Sequence, residues 1–322
     1  MDYAELNKLM SKQKDEMTAA ERMKAYNAGE EVDYIPYTLQ APDPAMADIF
    51  GFSTTQFAKD FEVKSEVIRR RRDEFGLDSF NVGLGLKTIG GALGSVLNAP
   101  EHGIDYVEKH VLQDYADFDK LEVTDPYKNP KLAPILESAK RLKDRFPDVS
   151  MTTSVAGPIS TAIAVRPVEK VLKDTRKNPE MLHKLLDLTV ECSLKWFEAF
   201  YHEFGPVGTN FSDPVTCMDV ISKSQFDEYS LPYIKKLIDG TKKIMGSAPG
   251  AHICGKTSPI WSDLADAGLF SFSIDNCEDL EVAKKAVGDR MRIAGNVPPV
   301  DVMKEGTCLL YTSPSPRDRT RS

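Results

Sequence analysis

The final third of the chain repeats one pattern three times, a short β-rich run followed by an amphipathic helix. "GAHIC" precedes "SPIWSDLADAG", "LFSFSID" precedes "CEDLEVAKKAVG", and "RMRIAGNV" precedes "PPVDVMKEG". Strands joined by single helices at this spacing run parallel, because the helix supplies the crossover that a parallel pair needs. The chain is thereby confined to an α/β architecture, either a TIM-type (β/α)8 barrel or an open doubly wound sheet.

Earlier segments extend the pattern. β-rich runs at "DYIPYTL", "DSFNVGLGL", "VSMTTSVAG" and "PVGTNFSDP" bring the strand total to about seven, one short of a barrel. An N-terminal helix ends near Asn27, and "KDFEVKSEVIRRRRDEFG" reads as another. Asn178-Pro179-Glu180 is a helix start: a capping side chain, a proline where no backbone donor is needed, and a carboxylate near the positive end. The long helix that follows, through Phe200, places Leu182, Leu185, Leu186, Trp196 and Phe197 on its buried stripe. Ser224-Gln225-Phe226-Asp227 resembles a capping box before "EYSLPYIKKLI". No internal repeat or Pro/Ser linker divides the body, so residues 1–307 read as a single barrel domain with an N-terminal helical extension.

The stretch from Cys308 to Asp318, "CLLYTSPSPRD", breaks off from a normal helix start and carries neither a helical nor an alternating period. Its back-translation resembles the end of a transposase adapter used in preparing sequencing libraries. Residues 308–322 are therefore expected to be a non-native tail, with the natural frame continuing past Thr307 and supplying the last strand. The competing reading is a genuine basic tail.

Charge and cysteine usage narrow the function classes. A net charge of -8 over 322 residues gives no general electrostatic reason to bind nucleic acid or an acidic membrane. The run Arg69-Arg70-Arg71-Arg72 is flanked by Glu66, Asp73 and Glu74, the pattern of a solvated helix face. No apolar run is long enough for a bilayer, and the charged N-terminus lacks the centre of a signal peptide, so a cytoplasmic address is expected. The five cysteines, Cys192, Cys217, Cys254, Cys277 and Cys308, are irregularly spaced and form no disulfide framework. Metal ligation and inert burial remain for them.

Within "AHICGK", His252 and Cys254 stand two residues apart. In a strand such residues project from the same face, here at the C-terminal end where barrel enzymes place their chemistry. Imidazole and thiolate are zinc ligands, and a catalytic zinc uses three protein ligands with one position open. The alternative is a buried cysteine beside a hydrogen-bonded histidine.

The stretches "HICGKTSPIWSDLADAGLFSFSIDN", "VAGPIST", "FSDPVTCMDVIS" and "ERMKAYNAGEEVDYIPY" together resemble the uroporphyrinogen decarboxylase superfamily, nearest its cobamide-dependent methyltransferase branch, over residues 15 to 307. The resemblance implies a barrel in which His252 and Cys254 are two zinc ligands. A third, a cysteine after the last strand, has no counterpart here, so the chain as written is expected to bind zinc weakly and to be largely inactive. The implied activity moves a methyl group from a methylated corrinoid, held by a partner protein, to a small thiol acceptor. No D-x-H-x-x-G corrinoid signature occurs in the chain, so the corrinoid has to arrive on that partner. One alternative is decarboxylation of uroporphyrinogen, but "TLQAPDPAM", with Asp43, stands where that enzyme carries an arginine-rich loop. A second alternative is an inactive family member.

Several other residues stand near this chemistry. Asp213 in "SDP" ends a strand and either orients a ligand or substrate or caps the helix at Pro214. Asp275, with Asp213 a candidate catalytic residue, and Cys277 follow the strand "LFSFSID" and are expected close to His252, with Cys277 a weak candidate for the third ligand. Cys217 is expected to be packed; His183 and His202 fall on the long helix as surface or satisfied-core residues; His102 and His110 have no identifiable partners. "GLGLKTIGGALGS" lacks both the P-loop ending and the Rossmann spacing, and reads as a flexible loop over the barrel mouth.

Overall fold

The computed structural model describes residues 16–33, 43–75, 79–101 and 104–305. They fall into two compact units, one drawn from Met1–Ala41 and Val297–Ser322, the other spanning Pro42–Asn296. Two sequence expectations, the strand at "DYIPYTL" and the tail from Cys308, lie outside the described residues apart from Asp33.

The larger unit is built on six parallel strands: β1 (Ser79–Asn81), β4 (Ser150–Ala156), β5 (Gly208–Ser212), β6 (Gly250–His252), β7 (Ser271–Ser273) and β8 (Arg292–Ala294). Each coincides with a run read from the sequence. Between the first two of them, β2 (Val96–Asn98) and β3 (Tyr106–Lys109) form an antiparallel hairpin outside this sheet. The order β1-β4-β5-β6-β7-β8 never reverses, whereas a doubly wound sheet reverses at its switch point. The fold is α/β of the TIM-barrel type.

Alternation along the strands sorts two faces. Phe80, Met151, Val155, Phe211, Ala251 and Phe272 join the apolar core. Asn81, Thr152, Ser154, Asn210, Ser212, His252, Ser271 and Ser273 occupy the opposite positions and keep partial exposure. His252 is on this polar face, with Ser212 and Ser273 as its register partners.

The core centres on the long helix Pro179–Phe204, whose Leu182, Leu185, Leu186, Trp196 and Phe197 are buried as expected. Each such side chain contributes about 1.5–3 kcal/mol by leaving water. Trp196 is also tied to the sheet: its Nε1 donates to Thr153 Oγ1 at 2.8 Å, and that hydroxyl donates to the Val82 carbonyl at 2.8 Å. A buried ion pair, Arg166 with Asp174 at 2.7 Å, fixes the preceding helix Val168–Lys177 against the carbonyls of Leu112 and Gln113.

Four local expectations need correction. Asn178 makes no side-chain cap to the long helix; its Nδ2 donates at 2.7 Å to the buried Asp174 carboxylate, and that bond fixes how its carboxamide is turned. The capping box is Ser222 with Gln225, two residues before the predicted one; there Ser222 is extended and Gln225 reaches back to its amide at 3.0 Å. The glycine-rich segment is no open loop: Gly90 and Gly91 are buried in a short helix, Thr88–Ala92, and a Cβ on Gly90 would lie 2.5 Å from the Ala164 carbonyl oxygen. In the arginine run, Arg69, Arg70 and Arg72 form surface ion pairs with neighbouring acids, but Arg71 is buried.

In the smaller unit, Thr18 and Glu21 cap the helix Ala19–Ala28, and Arg22 pairs with Asp33 at 2.6 Å. A helical turn, Pro299–Lys304, belongs to the same unit. Among the described residues, no helix is long and apolar enough to cross a membrane.

Candidate functional site

Strand β6 ends at His252, and the chain carries on through Ile253, which is fully buried, so that Cys254 returns to the polar face. The His252 ring is held from behind: Nδ1 lies 3.0 Å from the Ser273 carbonyl oxygen and 3.1 Å from Ser273 Oγ. A carbonyl can only accept, so Nδ1 is the donor in this contact, which in the neutral tautomer leaves Nε2 with its lone pair. That lone pair faces Cys254 Sγ at 3.1 Å. A backbone carbonyl behind the ring and a bare nitrogen in front is the arrangement of metal-ligating histidines.

The thiol does not ionise readily on its own. Burial pushes the Cys254 pKa up, and the negative charge of Asp275 pushes it further in the same direction. A cation bound at the sulfur reverses that preference.

Gly255 follows with a φ of +73°, and a Cβ there would stand 2.7 Å from Asp219 Oδ2 and 3.2 Å from Cys217 Sγ. Glycine alone takes this turn without strain. Asp275 accepts the Gly255 amide at 2.8 Å and the Cys277 amide at 3.0 Å. The Gly255 amide above all holds its pKa below the ordinary carboxylate range. Asp275 therefore joins the loop after β6 to the loop after β7.

The remaining candidates lie as follows. Asp213 is fully buried beside the site, with its backbone amide donating to the His252 carbonyl at 3.0 Å. Its side chain does not cap the turn at Pro214. Oδ1 instead accepts the Ser160 amide at 2.8 Å, capping the helix Pro158–Val165 from another strand end. Oδ2 is buried without a hydrogen-bond partner among the described residues, and burial pushes the Asp213 pKa up. Cys277 is exposed, and burial together with the negative charge of Asp275 pushes its thiol pKa up. Cys217 is buried as expected. His183 is satisfied by the Tyr233 hydroxyl at 2.7 Å, and His202 is exposed. His110 has the partner its sequence context hid, the Ile163 carbonyl at 3.1 Å. His102 lies outside the described residues, and Asp43 opens the helix Asp43–Ile49.

Among the described residues, no group of three or more His, Cys, Asp or Glu side chains is arranged to hold a metal ion. The donors present fit zinc as far as they go: one imidazole nitrogen, Nε2, facing one sulfur. Sequence reasoning missed Ser273, Asp219 and Glu278, which reach this loop through space. Only Ser273 left a signal, since it shares the His252 face once the β6–β7 register is known.

The model of the uroporphyrinogen decarboxylase (URO-D) family matches residues 18–308. The chain belongs to the uroporphyrinogen decarboxylase family. Curated relatives include the methylcobamide:CoM methyltransferase MtaA of Methanosarcina barkeri, 28% identical over 169 residues, or 52% of this chain and 48% of that protein. The methylcobamide:CoM methyltransferase MtbA of Methanosarcina acetivorans is 27% identical over 203 residues, 62% of this chain and 58% of that one. A uroporphyrinogen decarboxylase of Dechloromonas aromatica is 22% identical over 243 residues, covering 73% and 67%. The chain thus spans about half the length of the Methanosarcina relatives. A solved methyltransferase from Methanosarcina mazei shares the fold, with a TM-score of 0.78 at 23% identity over 91% of this chain and 86% of that one.

Proposed function

We propose that this family member is a cobamide-dependent methyltransferase that moves a methyl group from a methylated corrinoid protein to a small thiol, with His252 and Cys254 as zinc ligands. The observation that carries the reading is the 3.1 Å approach of His252 Nε2 to Cys254 Sγ, with Nδ1 committed to the Ser273 carbonyl. The methylcobamide:CoM methyltransferases among the relatives support the reaction class.

Zinc at this pair supplies the Lewis acidity that keeps an acceptor thiol ionised at neutral pH. Ser273 fixes the ring so that Nε2 is the donor, and Ile253 anchors the turn that returns Cys254 to it. Asp275 holds the Gly255 amide behind the sulfur. In the overall reaction the acceptor sulfur exchanges its proton for the methyl group, and the corrinoid cobalt retains the electron pair of the broken bond. We place the protein in the cytoplasm, with residues 1–307 as a single barrel domain bearing an N-terminal helical extension and 308–322 as a non-native tail.

The test is thiol methylation with methylcobalamin as donor and 2-mercaptoethanesulfonate as acceptor, followed by the colour change of the corrinoid. With only two of three zinc ligands in the chain, a low zinc-dependent turnover, abolished by His252→Ala and by Cys254→Ser, is the expected result. Turnover indifferent to both substitutions, or release of CO2 from uroporphyrinogen instead, would contradict it.

A further inference from the structure

The loop after Cys254 hands four successive backbone amides to carboxylates. Gly255 donates to Asp275 Oδ2 at 2.8 Å, Lys256 to Asp219 Oδ2 at 2.9 Å, and both Thr257 and Ser258 to Glu278 Oε1, the latter at 2.8 Å. Asp219 belongs to the segment after β5, whereas Asp275 and Glu278 follow β7, so the loop is gripped from both flanking strands. Lys256 contributes twice more, through its ion pair with Asp219 at 3.4 Å and its carbonyl, which accepts the Met218 amide at 2.9 Å. Asn296 braces one side by donating to the carbonyls of Asp275 at 3.0 Å and Glu278 at 2.5 Å.

Lys256 and Ser258 are exposed on this loop, whereas Thr257 is fully buried, so its amide needs a protein acceptor. Carboxylate acceptors make stronger, shorter bonds with amides than neutral acceptors do. The grip begins at the residue next to Cys254, and Gly255 turns there in the left-handed region that only glycine takes easily.

We propose that Asp219, Asp275 and Glu278 are positioning residues that latch the loop 255–258 so that Cys254 Sγ is presented to His252 Nε2. The consequence for metal binding rests on the zinc reading above. The latch itself is independent of any metal.

The experiment uses the full chain. Hydrogen–deuterium exchange on the zinc-free protein reads the latch, and competition with a chromophoric chelator reads zinc affinity. Asp275 uses both oxygens, so Asp275→Asn loses one acceptor. Glu278→Ala removes the Oε1 that accepts the Thr257 and Ser258 amides, whereas Glu278→Gln retains one side-chain oxygen acceptor. The first two variants are expected to lose amide protection at 255–258 and to bind zinc about 10- to 100-fold more weakly. Glu278→Gln is expected to preserve the protection and restore most of the affinity, which a purely electrostatic or global destabilising effect would not do. Unchanged protection in Asp275→Asn and Glu278→Ala overturns the latch. Zinc affinity that falls in His252→Ala but not in these two variants overturns their positioning role. Protection lost as expected, with zinc binding absent or indifferent to His252→Ala, supports the latch and removes the metal reading alone.

Discussion

Asp213, at the end of β5, caps the helix that begins beyond Gly157: its Oδ1 accepts the Ser160 amide at 2.8 Å, and a Cβ on Gly157 would lie 2.4 Å from its Cγ. The carboxyl is fully buried, and that burial raises its pKa. A carboxyl whose folded pKa is raised binds more protons folded than unfolded. Its contribution is therefore greatest below the unfolded pKa and is lost as pH rises through the folded one. Asp213→Asn keeps the Oδ1 acceptor and removes this titration. The variant is expected to gain stability relative to the parent as pH climbs from about 4, read from urea unfolding midpoints across a pH series. Parallel pH profiles would contradict it.

Gly255→Ala forces a Cβ into the left-handed region and to within 2.7 Å of Asp219 Oδ2. The backbone alone costs about 1–2 kcal/mol. A lowered urea midpoint at unchanged m-value is expected, together with weaker zinc binding, because the same turn aims Cys254.

Asp174→Ala leaves the Arg166 guanidinium buried without its carboxylate, and also strands the Tyr115 hydroxyl and the Asn178 amide that donate to Asp174. A loss of about 3–5 kcal/mol is expected by denaturant unfolding. Methyl transfer measured well below the transition is expected to change little.

Ser273→Ala deletes the hydroxyl 3.1 Å from His252 Nδ1 but leaves the carbonyl at 3.0 Å. Zinc affinity by chelator competition is expected to fall by less than the roughly tenfold that loss of an outer partner costs. A larger fall would assign the orienting role to the hydroxyl.

What was legible in the sequence was local. The β6, β7 and β8 strands and the helices between them follow from short apolar runs and their breakers. The His252–Cys254 pair follows from the two-residue period of a strand. Features decided through space were not legible. Asn178 carries a good cap, but a buried acid four residues earlier claims its side chain. Asp213 sits before Pro214 as a local cap would, yet it serves a helix 53 positions away. The latch draws Asp219 and Glu278 from segments 37 and about 20 positions from the amides they hold, and no sequence period encodes that.

The most direct measurement is a zinc titration against a chromophoric chelator of the parent chain, His252→Ala and Cys254→Ser. One site of modest affinity is expected in the parent, weakened in each variant by the loss of a donor. Equal zinc binding by all three proteins would contradict it.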